Sequence, residues 1–245
     1  MILRFLGALQ FLTVLPIRRI TASPAESALF FPVVGALLGA LAAAVLYAAK
    51  APFGESIAAL LAIAVLPLVT GGLHEDGLAD AADAFRAGRS REKIFAILKD
   101  SRIGTYGALA LIVSLLLRWQ ALLHFNKYPF AGLAGALALS RACMVLLGAI
   151  APPAGDGLGA LFAGRILRRA AWAVAFEAML SAILIGWLIG WTPAVAIIVV
   201  DFFILLLARA YFVRRLGGVN GDCLGATCQV VETMNLVVLA WKPFY

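Results

Sequence analysis

Charge is what this chain has least of. Only 13% of its 245 residues are Asp, Glu, Lys or Arg, and 64% are hydrophobic. A soluble domain carries about one quarter charged residues and about one half apolar ones. The shortage excludes a water-soluble domain and points to an integral membrane protein. Internal repeats, linkers and long polar stretches are also missing, so residues 1–245 are expected to form one integral membrane domain. Cysteine is scarce, with only Cys143, Cys223 and Cys228. Cys143 lies in an apolar run. The other two fall in a segment expected on the reducing side, so no disulfide is expected. A Cys-x4-Cys pair without a nearby His is a poor zinc site. The first apolar run, Ile2 to Ile17, lacks a basic n-region and a small-residue cleavage site, so no cleavable signal peptide is expected. The net charge of +7 comes without a basic stripe interleaved with aromatics, which speaks against nucleic acid.

What is abundant is apolar runs of membrane length. Residues 1–20 are too short for a span once Pro16 is counted, and are expected to lie at the interface or re-enter. Ala28 to Ala49 is the first span, with Gly35 and Gly39 forming a small-xxx-small pair for close helix packing. Ser56 to Leu73 is the second, with a kink expected at Pro67. Ile103 to Leu123, Phe130 to Ile150, Ala170 to Ile189 and Ala194 to Val213 follow. A last apolar run, Val230 to Ala240, is short for a span. The fold expected is an all-α polytopic helical bundle of about six or seven transmembrane helices, with an N-terminal interfacial or re-entrant helix.

The cations set the orientation. With the N-terminus inside, fourteen fall on the inner side: Arg4, Arg18, Arg19, six residues between Arg86 and Arg102, Arg165, Arg168, Arg169, Arg214 and Arg215. Four fall on the outer ends: Lys50, Arg118, Lys127 and Lys242. This bias places the polar loops in the cytoplasm, across a cell inner membrane.

Lys and Arg are absent between Leu73 and Phe85, where four carboxylates occur. In a helix beginning at Asp76, Asp80 and Asp83 follow at i+4 and i+7, within an arc of about 60°. Glu75 points about 100° away. Like charges on one face repel unless a cation joins them, and Mg²⁺ held by carboxylates and substrate phosphates is the natural occupant. The plainer alternative is an acidic first turn stabilised by the helix dipole.

Lys99-Asp100-Ser101-Arg102-Ile103-Gly104-Thr105-Tyr106-Gly107 opens a span and resembles an anion site at a helix N-terminus. Cations at the inner end of a span are also plain topology signals. Gly217 to Ala226 surrounds Asp222 with glycines that permit close approach to a ligand, or simply form a connector. In a helix from Asp222, Gln229 and Glu232 share its face and offer a second ligand set. Arg141 and Asp201 lie within spans, where they either form a structural pair or mark a polar pathway.

Taken in order, these stretches resemble the cobalamin synthase family, the adenosylcobinamide-GDP ribazoletransferases. The likeness runs through Ala8-Leu9-Gln10-Phe11-Leu12-Thr13 to Pro16 and Phe30-Phe31-Pro32-Val33-Val34-Gly35. It continues through Gly71 to Asp83, Lys99 to Gly104, and Gly217 to Ala226. Asn220 and Ala84 depart from the family pattern, where Thr and Gly are more frequent; no carboxylate is lost. The resemblance implies a membrane transferase that joins GDP-activated adenosylcobinamide to α-ribazole or its 5′-phosphate, releases GMP, and requires Mg²⁺. Carried onto this chain, it makes Asp76, Asp80, Asp83 and Asp222 metal ligands. Lys99 and Arg102 hold phosphate, and His74 is a general base or a packing donor. Ser101, Gly104, Arg141, Asn220 and Gly221 would contact substrate. Expected partners are the two substrates and membrane lipid, with no nucleic acid; a homo-oligomer is compatible with the sequence. The alternatives are a CDP-alcohol-type phosphotransferase, whose Arg between the first carboxylates is absent here, and a transporter acting through its intramembrane charges.

Overall fold

The computed structural model describes every residue except 18–21, 101, 125–127, 156 and 242–245; at 158, 160 and 161 only the backbone is described. The described residues are helical: α1 (Ile2–Leu12), α2 (Pro24–Ser27) with a short 3-10 turn (Ala28–Phe30), α3 (Phe31–Thr70), α4 (Leu73–Ala87), α5 (Arg91–Leu98), α6 (Thr105–His124), α7 (Pro129–Ile150), α8 (Leu158–Ala163), α9 (Arg168–Leu188), α10 (Trp191–Leu216) and α11 (Gly221–Leu239). Among the described residues, five segments are long and apolar enough to cross a membrane: Pro24–Thr70, α6, α7, α9 and α10. The protein is an all-α, multi-pass membrane bundle.

α3 contains two crossings. A straight helix of its 40 residues would run about 60 Å. Yet Phe31 at its start stacks on Phe11 with ring centroids 5.5 Å apart, and Val69 at its end accepts a hydrogen bond from the Val14 N–H at 2.8 Å. Phe11 and Val14 are separated by at most about 11 Å of chain, so the two ends of α3 lie together. The helix doubles back at Gly54, whose φ of 79° and ψ of 170° fall outside the helical region. Lys50 and Glu55 close the turn with a 2.7 Å ion pair. The two arms coincide with the spans expected at 28–49 and 56–73, except that Leu73 already belongs to α4. The first arm packs on α7 through Gly35 and Gly39, where a Cβ would collide with the carbonyls of Leu137 and Leu133. α1 has 11 residues, too few to cross, and keeps Ile2 and Leu3 exposed while Gly7, Ala8 and Leu12 are buried. That suits the interfacial or re-entrant role.

The outer shell is oily. Trp172, Phe176 and Trp187 of α9 and Phe202, Phe203 and Leu207 of α10 are exposed, as lipid contact requires. The centre is the opposite. α11, expected to be a short apolar run, extends over 19 residues and is buried nearly throughout. At about 28 Å it is long enough to cross the hydrocarbon layer. Its polar residues lowered its hydropathy, and several of them find partners within the bundle. Glu232 bonds Arg118 and Arg141, Thr233 bonds Ser114 at 2.9 Å, and Asn235 reaches Asp201 at 3.4 Å.

Two expectations are corrected here. Arg118 is no outer-end charge; it is 1% exposed and its Nη1 donates to Glu232 at 2.9 Å. Arg141 does not pair with Asp201; it donates to Glu232 and to the Ser140 hydroxyl. Glu232 is shared between the two guanidiniums, and Glu75 lies 3.7 Å from Arg118 as a second carboxylate.

Candidate active site

Gly71 and Gly72, with φ of 67° and 70°, end α3 and start α4 in the left-handed conformation that glycine adopts without strain. This sharp break places α4 at the end of the bundle where both termini of α3 meet. Asp76, Asp80 and Asp83 all fall in α4, so the shared helical face expected from their spacing is present. Asp222 joins them from the first turn of α11. Gly77 makes that possible, because a Cβ there would sit only 3.1 Å from the Gly225 Cα and 3.2 Å from the Asp222 carbonyl oxygen. The two helices therefore cross at near backbone contact, and their carboxylates converge.

The convergence is visible in the electrostatics. Burial pushes the Asp80 carboxyl up to about 6, assisted by the charges of Asp76, Asp222 and Asp83. Burial also raises Asp222, opposed by a hydrogen bond from the Asn220 amide and assisted by Asp76. Among the described residues, none of Asp76, Asp80 and Asp222 is ion-paired.

Three cavities meet at these carboxylates. One of about 690 Å³ is walled by Arg91, Phe95, Lys99, Ala154, Gly155, Gly157, Gly159, Asn220, Gly221 and Asp222. A second, of about 540 Å³, runs past Asp76 and Asp80 to Ile103 and Leu111, toward the apolar surface of α6. The third, of about 210 Å³, is mostly apolar, with His74, Asp76 and Asp222 in its lining. Lys99, Asn220 and Gly221 are thus brought to the cluster as expected. Asn220 also caps α11, its side-chain oxygen accepting from the Cys223 N–H at 3.0 Å while its amide donates to Asp222 at 2.9 Å.

Other expected site residues lie elsewhere. Asp83 accepts hydrogen bonds from the backbone N–H groups of Gly104 at 2.7 Å and Gly107 at 3.0 Å. The anion site foreseen at the start of α6 is therefore filled by the protein's own carboxylate. Gly104 contacts Asp83, and a Cβ there would collide with that side chain. Arg102 points into solvent and holds Asp100 in a two-pronged pair, with Nη2 2.7 Å from Oδ2. Ser101 lies outside the described residues. Arg141 lies deeper, in the buried ion cluster with Glu232 and Arg118, which Glu75 approaches at 3.7 Å. Glu232 is thereby engaged and supplies no second ligand set; Gln229, also buried, leaves its side-chain oxygen unpartnered.

His74 faces the apolar cavity, 1% exposed, with neither ring nitrogen hydrogen-bonded. Burial, with the Arg141 charge nearby, holds its pKa down at about 3, so the ring is neutral near pH 7. Sequence reasoning missed Arg91, Phe11 and Phe162 as lining residues. Arg91 counted only as a topology charge, and an aromatic in an apolar run carries no local signal that it faces a cavity.

Among the described residues, no three His, Cys, Asp or Glu side chains close into a preformed metal cage. Carboxylates converging without a paired cation, beside a cavity with two cations, nonetheless fit Mg²⁺. That ion keeps several waters and takes one or two protein carboxylates plus substrate phosphates.

Known proteins resemble the chain along its whole length. Residues 4–240 match the family described as cobalamin-5-phosphate synthase. An adenosylcobinamide-GDP ribazoletransferase of Geotalea daltonii is 36% identical over 237 residues, covering 95% of this chain and 94% of its own. One of Escherichia coli is 37% identical over 246 residues, covering 96% and 98%. One of Klebsiella pneumoniae is 37% identical over 251 residues, covering 98% and 100%. No solved structure matches.

Proposed function

The chain belongs to the cobalamin-5-phosphate synthase family, and from that membership we propose that it joins GDP-activated adenosylcobinamide to α-ribazole, or its 5′-phosphate, at the carboxylate cluster of α4 and α11. It is a transferase of cobalamin synthesis. GMP leaves, and the product is adenosylcobalamin or its 5′-phosphate. The observation that carries the site assignment is the meeting of Asp76, Asp80 and Asp222, without an ion-pair partner, beside the cavity walled by Arg91 and Lys99.

Asp76, Asp80 and Asp222 would hold Mg²⁺, which supplies neutralisation of charge on the diphosphate and on the leaving phosphate. Lys99 and Arg91 bind and orient the phosphates from the opposite wall. The Gly221 backbone, with no side chain, lets the substrate approach the first turn of α11. Asp83 holds the start of α6 in register with α4. His74, neutral and buried, is a binding group and not a general base. This end of the bundle faces the cytoplasm of a cell whose inner membrane holds the protein, where nucleotide and Mg²⁺ are available; the cation bias supports that placement.

The transport alternative is disfavoured by Arg141, which is bonded to Glu232, and by Asp201, which is bonded to Asn235; none of these four lines the cavities described above. The test is turnover of GDP-cobinamide with α-ribazole and with its phosphate, by protein purified into lipid nanodiscs, across a Mg²⁺ titration. Absence of product with either nucleophile refutes the reaction.

A further inference from the structure

The smallest of the three cavities, of about 210 Å³, is chemically unlike its two neighbours. Phe11, Leu73, Met144, Phe162 and Leu224 form its walls, and His74 is a buried polar group among them. Phe11, Phe31 and Phe162 form a stack: Phe31 lies within 12° of Phe11 and 4° of Phe162, at centroid distances of 5.5 Å and 5.4 Å. Phe11 and Phe162 of this stack also line the cavity, so aromatic surface held in place by Phe31 is available to a flat ring there. His74 is 99% buried and neither ring nitrogen has a partner. A buried polar group in that state lacks a hydrogen bond that a ligand can restore. Asp76 and Asp222 complete the lining, so whatever enters is held beside the carboxylate cluster.

We propose that this cavity holds the benzimidazole base of the α-ribazole nucleoside, with a ring N–H of His74 donating to the base's free ring nitrogen. The inference rests on the reaction proposed above and adds where the nucleophile is recognised. The chemistry selects among the three moieties that reaction brings. A corrin ring is far too large for the volume. Guanine's N–H edge would have to take Asp76 and Asp222, the carboxylates assigned to the cation, and its carbonyl and remaining ring nitrogens would face apolar walls and one imidazole, leaving most of them unpaired. A dimethylbenzimidazole offers two methyl groups to the Phe, Leu and Met walls and a single acceptor to His74. Its ribose then emerges at the side of Asp76 and Asp222. His74 is accordingly a specificity group for the base.

The experiment uses protein in nanodiscs and follows KM for each substrate separately. Phe162→Leu is expected to raise KM for α-ribazole about tenfold and leave KM for GDP-cobinamide within about twofold. On the unaltered protein, an α-riboside of indole, which lacks the free ring nitrogen, is expected to bind about tenfold more weakly than α-ribazole; in His74→Phe the two nucleosides become equal. The assignment is overturned if the KM for GDP-cobinamide rises instead, or if the indole riboside serves the unaltered protein as well as α-ribazole. The nucleoside comparison needs no variant, so a poorly folding mutant does not shield the idea. If the unaltered protein forms no product at all, the proposed reaction fails by itself. Calorimetry of α-ribazole binding then decides the cavity: binding that Phe162→Leu weakens sustains it, and no binding overturns it.

Discussion

Asp83 and Gly104 are joined by a 2.7 Å hydrogen bond between a side-chain oxygen and a backbone N–H, across 21 residues of sequence. The bond fixes the entry of α6 to the helix that carries Asp76 and Asp80. It also divides the acidic stretch into two jobs, since Asp83 serves the fold and its neighbours stay free. Replacing Asp83 by Asn leaves one oxygen to accept and turns an N–H toward the other donor. The expected cost is about 1–2 kcal/mol of stability, the range for a lost helix cap. A lowered melting temperature, with turnover retained at low temperature, is the outcome that supports this division. Loss of turnover with unchanged melting would move Asp83 back among the ligands.

Asp80→Asn and Asp222→Asn are expected to behave the other way. Each removes a charge from the unpaired group, so the folded protein keeps or gains stability. Turnover is expected to fall about 10²-fold, with a raised Mg²⁺ requirement. Glu92→Gln, on the exposed start of α5, is the control that leaves both unchanged. Full activity of Asp80→Asn at low Mg²⁺ refutes the metal-site assignment.

The raised Asp80 carboxyl makes a pH prediction with a definite sign. Its pKa in the fold is about 6 against an ordinary 3.8. Its stabilising contribution is therefore complete below 3.8 and is lost as pH rises through about 6, because folding disfavours the charged form. Without metal, this group makes the protein melt higher at pH 5 than at pH 8. A bound cation reverses the preference, and its binding then releases protons below about pH 6. Melting curves with Mg²⁺ and with EDTA at the two pH values check both signs.

Glu232→Gln is expected to be severe. It leaves Arg118 and Arg141 without the carboxylate they share, and breaking a buried pair costs about 3–5 kcal/mol. Loss of a monodisperse peak on size-exclusion chromatography is the readout. Asp201→Asn, where the Asn235 amide donates at 3.4 Å and the Cys143 thiol lies within hydrogen-bond reach, is expected to keep both folding and turnover. A transport role would make Asp201 the more sensitive of the two.

Topology has its own test, since the three native cysteines are buried. Ser90→Cys is expected to react with an impermeant thiol reagent only after permeabilisation, and Glu55→Cys, at the turn of α3, from outside intact cells. Labelling of Ser90→Cys on intact cells overturns the N-in orientation.

The spans were legible because hydrophobic length is a local property. The α4 stripe was legible for the same reason, since spacing within one helix fixes which residues share a face. Distant pairings were not. Nothing near Asp83 announces that its partner is the backbone of Gly104, and nothing near Arg141 favours Glu232 over Asp201. The crossing of α4 and α11 hung on Gly77 and Gly225, ordinary in either segment alone. α11 was read as short because its Gln, Glu, Thr and Asn lowered hydropathy, although each is placed inside the protein and not against lipid.

The central position of α11 bears on how the enzyme is made. Translation delivers Arg118 and Arg141 to the membrane 114 and 91 residues before Glu232. Each uncompensated guanidinium at mid-bilayer costs about 2.5–3.5 kcal/mol on insertion scales. The last helix therefore completes two things at once, charge balance in the middle of the bundle and the Asp222 corner of the cluster. A chain stalled before it leaves the translocon with exposed positive charge and without the third carboxylate of the cluster. Such an intermediate is catalytically silent and open to membrane quality-control proteases, so activity appears only with the finished bundle.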